Sequence, residues 1–155
     1  MKKSFFFLSI IMALVILIGC QSSRNPITAN EFTAKAETVG YTVQDAANQF
    51  PKDAVEDYLI AIKGTDTIDY QIEFAVVPTV EQAINAYTEN RNTFESKKGT
   101  ASVYSSVSMG NYSYYTLTTD NKYYVISRIE NTFIYVDVSA EYKDEIVKFL
   151  QDIGY

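Results

Sequence analysis

Histidine and tryptophan are absent from the 155 residues, and cysteine occurs once, at Cys20. Each absence removes a class of chemistry. Without histidine there is no Ser-His-Asp triad and no Cys-His pair, and a lone thiol lacks the cationic or basic neighbour that would activate it. An ordinary structural zinc site, built from several Cys and His side chains, is missing its parts. A single cysteine forms no internal disulfide, so burial alone must stabilise the fold. Basic residues are also in deficit, with 13 Lys and Arg against 19 Asp and Glu and a net charge of −6. That balance argues against nucleic acid, which needs a basic surface to displace counterions. It argues equally against adhesion to anionic lipid through a polybasic patch. The glycines of the folded region, Gly40, Gly64, Gly99, Gly110 and Gly154, fall at turns and element ends and form no phosphate-cradling loop.

The beginning of the chain reads as an export signal. Lys2 and Lys3 supply the positive start, Phe5 to Ile18 an apolar run, and Gly19 the small residue before Cys20. The run is 14 residues long (5 to 18), short of the roughly 20 that a membrane-spanning helix needs. Leu17-Ile18-Gly19-Cys20 resembles the lipobox of bacterial lipoproteins. The resemblance implies cleavage before Cys20, a thioether-linked diacylglycerol on its sulfur, and a protein held on the extracytoplasmic side of the cell membrane. Two acyl chains hold a soluble domain stably where one gives only marginal binding. Residues 1–19 are then the signal, 20–26 the acylated cysteine and a short tether, and 27–155 a single domain. Cleavage leaves 155 − 19 = 136 residues with a charge of 11 − 19 = −8, enough for one core. Thirteen tyrosines and six phenylalanines after Cys20 supply it.

Periodicity and turn chemistry predict an α+β domain. Thr28 with Glu31 forms a capping box for a helix over 29–39, whose stripe is Phe32, Ala36 and Val39. Strands are expected at 41–45, 57–63 and 68–76, with a loop at 50–56. Thr79 and Gln82 cap a second helix that stops by Gly99 and presents Val80, Ala83, Ile84, Tyr87 and Phe94 on one face. Four more strands follow at 101–108, 112–118, 123–129 and 132–138, then a helix from an N-cap at Ser139 to Ile153. The sum is a mostly antiparallel sheet of six or seven strands packed by three helices. The element order is similar to that of small bacterial lipoproteins, and a layered sandwich like that of PsbP-like and Mog1-like proteins would fit it.

Pairing the last three strands as hairpins places apolar residues on both faces. One face collects Tyr112, Tyr123, Val125, Ile129, Ile134, Val136 and Val138; the other Tyr115, Leu117, Tyr124, Ile126, Phe133 and Tyr135, with Arg128 and Asp137. Either helices cover both faces, or Tyr115, Tyr124, Arg128, Phe133 and Tyr135 form an exposed aromatic platform for a ligand. Two acidic groups are candidates for carboxylate catalysis, namely Asp66 with Asp69, and Asp53 with Glu56 and Asp57. All lie in or beside turns, where acids are usually solvated. Asp66, Thr67 and Asp69 match no twelve-residue calcium loop, so no metal and no cofactor is expected. The expectation is a non-catalytic module that binds an envelope protein or a small ligand; the alternative is a small carboxylate-dependent hydrolase of the envelope.

Overall fold

The computed structural model describes residues 23–155; the export segment and Cys20 lie outside the described residues. Helix α1 (Ala29–Thr38) starts where its capping box dictates. The Thr28 hydroxyl accepts from the Glu31 N–H at 3.2 Å, and the Glu31 carboxylate accepts from the Thr28 N–H at 2.8 Å. The chain leaves this helix through Gly40, whose φ of 85° favours glycine. Helix α2 (Val80–Glu95) opens with the same exchange between Thr79 and Gln82, 3.1 Å in each direction. The strands are β1 (Thr42–Asp45), β2 (Asp57–Lys63), β3 (Tyr70–Val76), β4 (Val103–Met109), β5 (Tyr112–Thr119), β6 (Lys122–Ile129) and β7 (Thr132–Ser139), and α3 (Lys143–Asp152) closes the chain.

All seven strands join one antiparallel sheet in the order β1-β2-β3-β7-β6-β5-β4. It consists of two meanders, β1-β2-β3 and β4-β5-β6-β7, stitched together where Glu73–Val76 pairs with Thr132–Tyr135. Asn131 fixes that seam by donating from its side chain to the Val77 carbonyl at 2.8 Å and accepting the Val77 N–H at its own carbonyl at 2.9 Å. Two-residue turns set the register of the second meander; at one of them Asp120 and Asn121 both take positive φ, 48° and 60°.

Helices pack on both faces. On the first face α1 and α3 bury Phe32, Ala36, Ile146, Phe149, Leu150 and Ile153 against Phe74, Ile72, Val125, Ile134 and Val136. Phe32 stacks on Phe74 with 4.7 Å between ring centroids. On the second face α2 lays Tyr87 and Phe94 on Tyr115, Leu117, Tyr124 and Ile126. The expected α+β class, seven-strand sheet and three packing helices are therefore present. No described helix is long and apolar enough to cross a membrane.

Differences from the expected elements have local causes. Val39, Val80 and Ile84 are exposed rather than buried: Val39 caps the end of α1, Val80 opens α2, and Ile84 lies beside the buried stripe of Ala83 and Tyr87. Ser139 does not cap a helix: it pairs with Lys122 as the last residue of β7 and makes no capping hydrogen bond. A 3-10 turn at Ala140–Tyr142 therefore precedes α3. Just before the expected loop, Ala47–Gln49 makes another 3-10 turn. Arg24, in the segment expected to be a tether, is docked on the domain, with its guanidinium 3.7 Å from the Tyr112 ring centroid and its Nη1 donating to the Gly154 carbonyl at 3.2 Å.

The tyrosines of the first core make stability sensitive to alkali. Burial pushes the Tyr41 hydroxyl up to about 12 and also raises Tyr70, Tyr123 and Tyr155. The native state thus holds these protons more tightly than the unfolded chain, where tyrosine titrates near 10. Their contribution is whole below about pH 10 and is lost as pH rises toward about 12. The urea midpoint is expected to be level from about pH 7 to 9.5 and to fall steeply above that; a midpoint that held to about pH 12 would contradict the burial of these hydroxyls.

Candidate functional site

Helix α2 packs chiefly against β5, β6 and β7. The second face of β2 and β3 carries Tyr58, Ile60, Ile62, Gln71 and Glu73, all half-buried, with no helix over them among the described residues. At the boundary between covered and uncovered sheet lies a groove of about 390 Å³ lined by Phe50, Tyr58, Glu73, Asn90, Phe133 and Tyr135. Its floor follows from register. Glu73 of β3 is opposite Tyr135 of β7, Ala75 is opposite Phe133, and Tyr58 of β2 is opposite Ala75. One wall is Asn90 of α2, and the other is the loop that brings Phe50 to 4.5 Å from the Tyr58 ring.

Glu73 is the only ionisable carboxylate in that lining. It accepts from the Tyr58 hydroxyl through Oε2 and from Gln71 Nε2 through Oε1 at 3.2 Å. Both donors are neutral, so they orient the carboxylate and leave its charge in place. Among the described residues no lysine or arginine nitrogen lies within 4.0 Å of it; the ion pairs involve Glu95, Asp137 and Glu145 instead. Burial, and then the bond to Glu73, raises the Tyr58 hydroxyl, which stays protonated and keeps donating. Burial, reinforced by the charges of Asp137 and Glu73, lifts Tyr135 to about 12. Tyr135 is held from behind by Phe94 of α2, 5.3 Å away. Four aromatic side chains thus converge on one fixed, uncompensated negative charge.

The exposed five-residue platform does not form. Tyr115 is 0% exposed, and Tyr124 and Arg128 are also buried, because α2 lies across them. Arg128 donates to the Glu130 carbonyl at 3.1 Å and to the Ser113 hydroxyl at 3.4 Å, within the protein. Phe133 and Tyr135 alone remain partly accessible, as members of the groove. Phe50, Tyr58, Glu73 and Asn90 join them and were not singled out from sequence. Gln71 and Glu73 alternate along β3 and mark a polar face, but only the β3–β7 pairing shows that this face abuts Phe133 and Tyr135.

The acidic candidates do not line this groove. Asp53 and Asp69 are exposed, and Asp66 is the one acid in a separate depression of about 230 Å³ bounded by Gln44, Ile62 and Thr67. Asp137 faces Lys122 at 3.2 Å and Lys97 at 4.0 Å. Among the described residues no three Asp, Glu, His or Cys side chains cluster as metal ligands.

No family model matches the chain, and no curated protein matches it. Among solved structures, the extracellular domain of PknH from Mycobacterium tuberculosis is similar over 83% of this chain and 92% of that one, at 7% identity and a TM-score of 0.36. Likeness of that degree carries no argument about function.

Proposed function

We propose that this chain is a non-catalytic binding module, tethered to the extracytoplasmic side of the cell membrane through a diacylglycerol on Cys20. Its ligand carries a positively charged ammonium group, and its binding site is the groove around Glu73. The observation that supports this reading is the convergence of Phe50, Tyr58, Phe133 and Tyr135 on a carboxylate whose charge no described cation offsets. Aromatic faces attract cations through their quadrupoles, and they do so more strongly when water is partly excluded. A carboxylate already oriented by two neutral donors adds attraction without a reorganisation cost. The groove volume suits a small ligand, and the acidic net charge favours the approach of cations.

Two measurements test the parts separately. The mass of the mature protein extracted from membranes should correspond to a chain that begins at Cys20 and carries a diacylglycerol; an unmodified Cys20 in a full-length chain overturns the tether. Choline, a compact trimethylammonium compound, is expected to bind the groove. Glu73→Gln keeps the side chain's shape and one acceptor oxygen while removing the charge, so it should weaken choline about tenfold, equivalent to about 1.4 kcal/mol. Equal affinity in the two proteins would remove Glu73 from the site.

A further inference from the structure

The sheet ends at β4, and nothing among the described residues protects that end. Natural sheets blunt their edges with charge, proline, bulges or a covering element, because an open row of N–H and C=O groups invites another strand. All seven residues of β4, Val103–Met109, are exposed, with Val103 at 67%, Tyr104 at 60% and Met109 at 51%. The strand pairs residue for residue with β5, without a bulge. It contains no proline and no charge. The 21 residues from Gly99 to Thr119 hold no Asp, Glu, Lys or Arg, in a chain where such residues make up 21%.

We infer that β4 pairs with β4 of a second copy of this chain, antiparallel about a two-fold axis at Ser106, to join two sheets into one. The register follows from the hairpin. The two-residue turn at Gly110–Asn111 makes Met109 and Tyr112 a pair that exchanges backbone hydrogen bonds, and such pairs alternate along the ladder. Val103, Val107 and Met109, with Ser105, therefore direct their backbone groups to β5. Tyr104, Ser106 and Ser108 direct theirs outward. With Ser106 opposite Ser106, Tyr104 falls opposite Ser108 in both directions, and every outward group on the three residues gains a partner. On the first face, Val103 meets Met109 and Ser105 meets Val107.

Charge selects a second copy over another strand. Two molecules of net charge −6 repel over most of their surfaces, and this neutral hairpin lets them approach with no like charges opposed. A partner of different sequence would have offered a complementary charge to read, and β4 has none for it to find. Lys98, on α2's C-terminal side, lies over the Tyr104 ring at 3.4 Å, two residues from the axis. This inference is independent of the ligand groove.

Cysteine crosslinking of the full-length chain in its native membrane tests it. Across the axis, two Ser106→Cys residues lie about 5.5 Å apart between Cα atoms, within disulfide reach. In Val103→Cys the two thiols are separated by six residues along the strands (109 − 103), about 20 Å, and cannot join. Copper-phenanthroline oxidation should convert Ser106→Cys into a species of twice the chain's mass, well above the background set by wild type with Cys20 alone, while Val103→Cys stays at background. The Val103→Cys/Met109→Cys double variant should crosslink as Ser106→Cys does. Absence of the Ser106→Cys dimer, equal yields from Ser106→Cys and Val103→Cys, or an adduct of any other mass overturns pairing with a second copy.

Discussion

Phe74→Ala is expected to lower the free energy of unfolding by about 3–5 kcal/mol, the usual cost of deleting a buried phenylalanine ring. Phe74 is fully buried at the centre of β3, the strand that joins the two meanders through β7. Its ring stacks on Phe32 of α1, which in turn meets Phe149 of α3 edge-on at 6.0 Å. One side chain thus sits at the seam of the sheet against α1, and through Phe32 its packing is coupled to α3. The void left by alanine cannot collapse without moving α1, so the cost belongs at the upper end of the range for core truncation. Urea denaturation monitored by tyrosine fluorescence and far-ultraviolet circular dichroism would measure it. A loss below about 1 kcal/mol would show that the first core is not organised around this stack.

Phe94→Ala is expected to cost a similar amount, about 3–5 kcal/mol, through the other face. Phe94 is fully buried near the end of α2, with Tyr124 at 4.9 Å and Tyr135 at 5.3 Å between ring centroids. It fixes the helix to the sheet and also backs Tyr135 in the floor of the groove. The variant should therefore lose ligand affinity as well as stability, whereas Phe74→Ala, on the opposite face, should bind normally wherever it remains folded. Substitutions at Ile84, exposed on the same helix, should change stability by no more than about 0.5 kcal/mol. Normal groove binding in a folded Phe94→Ala protein would separate the groove from the packing of α2.

The features legible in the sequence are those decided within a few residues. Thr28 with Glu31 and Thr79 with Gln82 announce helix starts because both partners of each capping box lie in one turn of chain. Short turns fix the register of β5, β6 and β7, so the two faces of that meander follow from alternation alone. The pairing of β3 with β7 joins residues far apart in sequence, Glu73 with Tyr135 and Val76 with Thr132, and depends on neither strand's local pattern. The groove is a product of that pairing. Tyr135 and Phe133 were visible as aromatic members of a face, but their neighbours Glu73, Tyr58 and Phe50 belong to the other meander. The position of α2 was equally hidden. Its stripe shows that it covers something, and only its placement shows that Tyr115, Tyr124 and Arg128 are under it while the face of β2 and β3 is not.

The most direct test of the ammonium-binding groove compares choline with 3,3-dimethylbutan-1-ol, the neutral compound in which carbon replaces nitrogen. The two have nearly the same shape, so simple apolar burial would treat them alike. In isothermal titration calorimetry, choline should bind with a Kd of about 1 mM or tighter, at least about −4 kcal/mol, and the alcohol should be more than about tenfold weaker. Equal affinities, or no heat with choline at any accessible concentration, would contradict a cation site formed by the four aromatic side chains and Glu73.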